Sequence, residues 1–316
     1  MCGVTGFIDD KKRLNSEVAT KHVRAMNDKI IHRGPDDSGV WFDEKNGIYL
    51  GHQRLSILDL SKAGHQPMSS YSKRYHIVYN GEIYNHLSLR RSLIKEGYTN
   101  EWNGTSDTET LLACFDHYGI EKTMDMIDGM FAIAVWDQIA RKLFLIRDRF
   151  GEKPLYYTAP NFINGYIIFG SELSAIAAHP NFSSKINRSS LQQYMRFGYV
   201  PWSESIYCGV SKVRPGTITR IDPRNLHINE KEYWNTLNVA KECSQKKFTG
   251  TMSDATDYLE KLLKKKIENQ MLSDVPLGAF LSGGIDSSLV TSIMQGISNK
   301  PVKTFTIGFE ESGWDE

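Results

Sequence analysis

Met1-Cys2-Gly3-Val4-Thr5-Gly6-Phe7 opens the chain, and its second residue decides how the rest is read. Removal of Met1 leaves Cys2 with a thiol and a free α-amine on one residue. Such an amine titrates near about 7.7–8.0 and serves as a base at neutral pH, while a thiol near about 8.5 needs little help to become a nucleophile. One residue then supplies both groups, and no separate Ser-His-Asp set is required. Gly3 and Gly6 allow close backbone approach around the thiol. A cysteine at this position is, by itself, equally an incidental residue of an edge strand, so its surroundings must decide.

The chain has 316 residues, 38 Lys and Arg against 37 Asp and Glu, 40% hydrophobic and 11% aromatic. This length allows about two domains, and the composition is that of a soluble globular protein rather than a disordered one. A net charge of +1 supplies no electrostatic footprint for nucleic acid, and the longest basic run, Lys264-Lys265-Lys266, falls on the polar face of a helical pattern. No run reaches the roughly 18 apolar residues of a membrane span, and Asp9, Asp10 and Lys11 stand where a secretory signal would be apolar. Cys2, Cys114, Cys208 and Cys243 form no CxxC pair and have no His at ligand spacing. No metal site or disulfide framework is therefore expected, and a reducing cytoplasm is the default compartment. Cys114, inside Leu111-Leu112-Ala113-Cys114-Phe115, reads as a small core residue.

Residues 1–230 alternate short apolar runs with turn signals. Strands are expected over 75–79, 130–136, 143–146, 155–158 and 166–169, with Asn161 and Gly165 bracketing a hairpin turn. Ser106-Asp107-Thr108-Glu109 is a capping-box start for a helix carrying Leu111, Leu112, Phe115 and Tyr118, and further helices are expected over 171–178 and 188–197, the last ending at Gly198. Grouped strands and helices argue α+β. A polar stretch over 238–252 without periodicity places a linker at 231–252. Beyond it Leu259, Leu262, Leu263, Ile267 and Met271 form one helical stripe. An apolar run over 275–281, the loop Ser282-Gly283-Gly284-Ile285-Asp286-Ser287-Ser288, a helix to about 297 and a strand over 302–309 then make one β-loop-α-β unit. A parallel sheet is buried on both faces and needs several strands, so residues 253–316 read as the N-terminal part of a larger α/β domain.

Cys2-Gly3-Val4-Thr5-Gly6, His32-Arg33-Gly34-Pro35-Asp36, His52-Gln53-Arg54-Leu55-Ser56-Ile57, Asn80-Gly81-Glu82-Ile83-Tyr84-Asn85 and Ser106-Asp107 occur in the order found in class II glutamine amidotransferases. With Ser282-Gly283-Gly284-Ile285-Asp286-Ser287, the whole chain resembles the N-terminal part of the glutamine-hydrolysing asparagine synthetase family. The resemblance implies an αββα N-terminal-nucleophile hydrolase sandwich over 1–230, followed by the opening of an α/β ATP-pyrophosphatase domain. It also implies hydrolysis of glutamine to glutamate and ammonia through a Cys2 thioester, with no cofactor in that half. Asn80 and the Gly81 N–H would form the oxyanion hole, although Asn-Gly after a strand is also a hairpin turn signal. Arg54 would hold the substrate α-carboxylate, Asp107 and Glu82 its α-ammonium, and Leu55, Ser56, Ile57 and Leu58 would complete the pocket. Read singly, these residues are equally a surface salt-bridge arginine, an edge charge and a first-turn helix acid. The segment His32 to Asp36 reads as framing for the site, shielding the pocket, because the α-amine leaves no need for a histidine base.

The glycine-rich loop joins a strand to a helix, so backbone N–H groups and the helix dipole converge on an anion. It lacks the Gly-Lys-Ser/Thr ending of a Walker A loop, and from the loop alone a plain structural turn reads equally well. The resemblance assigns Ser282, Gly283, Gly284, Asp286, Ser287 and Ser288 to ATP phosphates, and Leu281 and Ile307 to the adenine. It implies ATP and Mg²⁺ and transfer of the ammonia to an adenylated carboxylate, most simply aspartate giving asparagine. Glutaminase chemistry without complete synthetase activity is expected of these residues. Arg147-Asp148-Arg149-Phe150-Gly151-Glu152-Lys153-Pro154-Leu155-Tyr156-Tyr157 resembles a segment shared with amidating enzymes of surface-polysaccharide pathways, which leaves a sugar carboxylate as an alternative acceptor. A non-catalytic fragment is the alternative from another class. The partners implied are glutamine, ATP and aspartate, with a homodimer as candidate assembly and no nucleic acid or membrane.

Overall fold

Several strands of this protein are buried at every position, on both faces, and that fact alone requires a layer on each side of each sheet. The computed structural model describes residues 1–160 and 162–308 and divides into two units, Met1–Asn235 and Thr236–Glu316. The first runs β1 (Gly3–Asp9), α1 (Ser16–Asp28), β2 (Asp37–Asp43), β3 (Ile48–Arg54), β4 (Met68–Ser69), β5 (Tyr75–Ile83), α2 (His86–Lys95), α3 (Asp107–Tyr118), α4 (Ile120–Met126), β6 (Gly129–Asp137), β7 (Lys142–Arg147), β8 (Tyr156–Thr158), β9 (Tyr166–Gly170), α5 (Leu173–Ala177), α6 (Arg188–Phe197), β10 (Val210–Lys212), β11 (Thr217–Asp222) and β12 (His227–Glu232).

These strands form two antiparallel sheets, ordered β10-β8-β9-β1-β3-β2 and β12-β11-β7-β6-β5-β4. Their facing surfaces share one core, in which Val4, Ile8, Ile48 and Leu50 of the first sheet meet Val78, Ala132, Ala134, Trp136 and Leu145 of the second. A second core lies on the far side of the first sheet, where α1 and α5 bring Ala19, Val23, Met26 and Ile176 against Phe7 and Tyr49. The third lies under α2, α3 and α4, with Leu89, Leu111, Leu112, Cys114, Phe115 and Met124 on Ile77, Ile133 and Val135. The order of layers is αββα, as expected. Cys114 is a fully buried core residue.

The expected strands and helices of this unit are present, with two differences of detail. Asn80-Gly81 is no turn, because β5 continues through it and pairs Asn80 with Ala132, Gly81 with Phe131 and Glu82 with Met130. The glycine serves close approach, since a Cβ at Gly81 would stand 2.7 Å from the Phe131 Cα. The capping box of α3 is half made. Ser106 accepts from the Glu109 N–H, while the Glu109 carboxylate turns away to the N–H groups of Asn103 and Gly104, at 2.7 and 3.0 Å. Asn161 of the expected hairpin lies outside the described residues.

In the second unit, α7 (Thr236–Gln245), α8 (Met252–Gln270), β13 (Gly278–Phe280), α9 (Ile285–Ile297) and β14 (Lys303–Phe305) follow one another. β13 and β14 pair in parallel, Gly278 opposite Lys303, which is the β-loop-α-β arrangement expected. Phe309, the end of the expected strand, lies outside the described residues. Helix α7 occupies much of the stretch read as a linker. None of its residues is buried. A full capping box, Thr251 with Asp254, starts α8.

Two buried histidines make the first unit acid-sensitive. His52 on β3 donates from Nε2 to the Tyr79 carbonyl of β5 at 2.9 Å, a bond between the sheets, and burial pushes its ring down to about 4. His179 packs edge-on against Phe7, 4.7 Å between centroids, and burial takes it down to about 3. Both folded values lie below the ordinary 6.5, so their contribution is fully present above that pH and is lost as pH falls toward the folded values. Lowering pH from 7 to 5 should remove about 2 kcal/mol of unfolding free energy per histidine. Guanidinium titrations at the two pH values check this, and in His179→Gln the drop should shrink by that amount. An unchanged drop contradicts it.

Candidate active site

Cys2 immediately precedes β1, in the middle of the first sheet. The Leu55 N–H, just past β3, donates to its Sγ at 3.4 Å, and Sγ lies 3.6 Å from the Leu55 carbonyl. The Cys2 carbonyl accepts from Arg33 Nε at 3.0 Å. Arg33 is in turn fixed by Glu172 at 2.9 Å, and His32 reaches the same carboxylate at 3.0 Å. Asp36 accepts the Ser56 N–H at 2.8 Å. The segment His32 to Asp36 thus frames Cys2 and the chain after β3, and none of its residues lines the cavity in front of Cys2.

That cavity is lined by Arg54, Leu55, Ile57, Leu58, Asn80, Gly81, Glu82 and Asp107, all singled out from the sequence. Ser56 is not among the lining residues. Gln66, Tyr79, Thr108, Met130 and Lys153 also line it and were not singled out.

Asn80 is 1% exposed, and its Nδ2 has no hydrogen-bond partner among the described residues. An amide donor buried without a partner costs about 1–3 kcal/mol, and this one stands in the wall of the cavity that holds the thiol. The direction of the Gly81 N–H follows from the ladder. Phe131, opposite Gly81, gives its N–H to Asp148 Oδ2 at 3.2 Å and its carbonyl to the Asp148 N–H at 2.9 Å, both away from β5. In an antiparallel pair such a residue exchanges no bonds with its opposite number, so the Gly81 N–H points away from β6. Tyr79, two residues earlier and on the same side, gives its N–H to Gln66 Oε1 at 2.7 Å and its carbonyl to His52.

Arg54 ends β3 with its guanidinium held by main-chain carbonyls: Nη1 donates to Ser61 at 3.0 Å, and Nη2 to Leu58 at 3.3 Å and to Asp59. Five donors radiate from a guanidinium, so this clamp fixes its plane and leaves donors over. Asp107 is the first residue of α3, and its Oδ2 accepts from Tyr79 Oη at 2.8 Å and the Ile83 N–H at 2.9 Å.

Burial sets the charges. It pushes the Asp107 carboxyl up, against the bonds from Ile83 and Tyr79. Burial and then the Asp107 charge push Glu82 up. It also raises the Cys2 thiol, against the Leu55 bond, and lowers the Lys153 ammonium. Two carboxylates made uncomfortable by desolvation suit a small cation entering between them.

The stretch 147–157, which the sequence suggested bears on the acceptor, contributes Lys153 to this cavity's wall.

In the second unit, Ser282 donates its N–H to Ser287 Oγ at 3.2 Å, and Ser287 Oγ donates to the Gly284 carbonyl at 3.2 Å. Gly284 caps α9 with no side-chain hydrogen bond, so the first N–H groups of the helix are open to an anion. Leu281 follows β13 and donates its N–H to Phe305 at 2.9 Å. Ile307 lies two residues past β14 and is exposed. Ser288 lies in the first turns of α9, and Asp286 is an acidic residue of its first turn. Among the described residues no group of three His, Cys, Asp or Glu could hold a metal ion, and no helix is long and apolar enough to cross a membrane.

Residues 1–234 match the family model of the glutamine amidotransferase domain, and residues 258–316 match that of asparagine synthase. Asparagine synthetase [glutamine-hydrolyzing] 1 of Bacillus subtilis (strain 168) is 38% identical over 316 residues, covering 100% of this chain and 47% of its own length. Asparagine synthetase [glutamine-hydrolyzing] 3 of the same organism is 37% identical, over 99% of this chain and 49% of its own. The chain therefore spans about half the length of the curated relatives it matches. The solved structure of glutamine phosphoribosylpyrophosphate amidotransferase from B. subtilis superposes with a TM-score of 0.53 at 15% identity, over 99% of this chain and 67% of that one, a likeness of fold.

The half-buried Cys2 yields a labelling order for the chain that carries Met1. At pH 7.5 iodoacetamide should reach exposed Cys243 first, while Cys114, pushed up to about 12 by burial, stays unlabelled in the folded protein. Cys2 should lag and accelerate as pH rises, because burial raises its thiol and the thiolate is the reactive form. Peptide mass mapping reads the order, and Cys2 labelled as fast as Cys243 at pH 7.5 contradicts it.

Proposed function

The chain belongs to the glutamine amidotransferase domain family and has the N-terminal-nucleophile hydrolase fold, and on that premise we propose that its first unit hydrolyses glutamine to glutamate and ammonia through a thioester on Cys2. The observation that carries this reading is the buried, unpaired Asn80 Nδ2 in the wall of the cavity that holds the Cys2 thiol.

With Met1 removed, the α-amine of Cys2 takes the thiol proton and sulfur attacks the side-chain amide carbon. The carbonyl oxygen becomes an oxyanion, which Asn80 Nδ2 and the Gly81 N–H stabilise. The amine then passes its proton to the leaving nitrogen, the C–N bond breaks and ammonia departs. Water, losing a proton to the same amine, adds to the thioester; the C–S bond breaks, the thiol is restored and glutamate is released. The free donors of Arg54 take the substrate α-carboxylate, and Asp107 with Glu82 takes the α-ammonium, which relieves the desolvation of both carboxylates. Leu55, Ile57 and Leu58 close the pocket around the aliphatic chain. Ser56, its N–H bound to Asp36, acts by holding that loop.

For the second unit we infer that the uncapped start of α9 and the loop carrying Ser282, Gly283, Gly284, Ser287 and Ser288 receive the phosphates of ATP, with Leu281 and Ile307 toward the adenine. Asp286 adds a negative charge to the same helix start, so its place in this set rests on the family resemblance. ATP supplies adenylation of a carboxylate, releasing pyrophosphate, and ammonia then displaces AMP to give the amide. Aspartate is the proposed acceptor, in keeping with the names of the relatives. Mg²⁺ has no ready-made cluster among the described residues and would enter with the phosphates, so no step is assigned to it.

Incubation with glutamine and measurement of glutamate test the first half. Cys2→Ala should abolish release. Asn80→Ala should lower kcat by about 10²- to 10³-fold with little change in KM, because the oxyanion exists only after attack. Release unchanged in Cys2→Ala would overturn the reading.

A further inference from the structure

Lys153 lies in the wall of the Cys2 cavity and has no part in the steps above. It is 6% exposed, and its ammonium donates to Met1 Sδ at 3.1 Å, which sets it beside the first residue of the chain. Among the described residues it makes no ion pair within 4.0 Å, so its charge is buried without a carboxylate in contact, an arrangement that burial disfavours.

A rigid loop presents it. The Asp148 carboxylate accepts the N–H groups of Phe131, Phe150, Glu152 and Lys153, at 3.2, 3.1, 2.9 and 3.0 Å. Arg147 donates from Nε to the Lys153 carbonyl at 2.8 Å and from Nη2 to that of Gly151 at 2.6 Å. Gly151 sits at φ +70°, where a side chain would be strained and would also meet Pro215 at 2.8 Å. When Met1 leaves, the thioether goes with it and the α-amine passes to Cys2, while the bonds that hold the Lys153 main chain, from Arg147 and to Asp148, do not involve Met1.

We propose that Lys153 is a positioning residue of the Cys2 centre, its buried ammonium keeping the α-amine of processed Cys2 in the uncharged form that accepts the thiol proton. This rests on the glutaminase reading. A second positive charge is disfavoured next to a first in a poorly hydrated cavity. Arg33, bound to the Cys2 carbonyl, acts in the same sense, partly offset by Glu172 and with His32 on the same carboxylate. The Cys2 thiolate, Asp36 and Glu82 act in the opposite sense. In the chain that carries Met1 the amine already lies below its ordinary value, through burial first and then Arg33 and Lys153, against Cys2 and Asp36. Burial lowers Lys153 too, while Glu82, Glu152 and Asp148 support its charge.

The test is the pH profile of kcat/KM for glutamine hydrolysis by the Met1-processed chain. Lys153→Met should move the acid limb up by about one pH unit, and Lys153→Arg should leave it in place. Should Lys153→Met fail to fold by circular dichroism, Lys153→Gln takes its place. An acid limb that does not move, whether rates hold or fall uniformly at every pH, overturns the proposal and leaves Lys153 a structural residue. Cys2→Ala is run alongside: activity surviving there overturns the glutaminase reading instead.

Discussion

Strand β5 has one edge that its neighbour cannot cover, and the site depends on that edge. β4 is two residues long and pairs only with His76 and Ile77. Past them the outward N–H groups of β5 must find side chains or stand open. Gln66 takes the Tyr79 N–H, and His52 gives its own N–H to the Tyr79 carbonyl. These bonds fix the strand where Asn80 and Gly81 begin. Because β6 is committed to β7 and Asp148 at Phe131, the next donor on that edge, the Gly81 N–H, has no partner on β6, while the one after it, at Ile83, goes to Asp107.

The cavity is also organised by what burial does to charge. Desolvation moves the Cys2 thiol, the Glu82 and Asp107 carboxyls and the Lys153 ammonium toward their neutral forms. Such a site holds its own charges poorly and a complementary zwitterion well. The donors that would meet the carboxylate end are held by rigid carbonyls around Arg54, and the acceptors that would meet the ammonium end are held by Tyr79 and Ile83. Little reorganisation then remains for binding.

The sequence displayed the layers well, because strands and helices buried in three cores carry strong apolar patterns, as Phe115 on α3 and Trp136 on β6 do. It displayed Cys2 and most of the residues that line its cavity as residue types in order. What it hid depends on partners distant in sequence. Asn80-Gly81 carries the local chemistry of a turn, and only pairing with β6 keeps it extended. Glu109 has the spacing of a capping box, but the loop at Asn103 competes for its carboxylate. Helix α7 buries nothing, and its polar residues read as a linker. Lys153 lies in the segment 147–157, whose sequence reading concerns the acceptor; Gly151 and Pro154 on either side mark a constrained turn without saying that it points into the Cys2 cavity.

The same reasoning separates the Asn80 stretch of β5 from the glycine-rich loop before α9. A donor left unpaired inside a protein costs about as much as a hydrogen bond, so its persistence at Asn80 asks for a ligand or a charge that forms there. The open N–H groups at the start of α9 are exposed, and water satisfies them at no such cost. Their lack of a side-chain partner permits an anion without demanding one. The first site therefore argues from energy, whereas the second argues from shape: a glycine-rich turn, a helix start and two parallel strands that aim them at the same point.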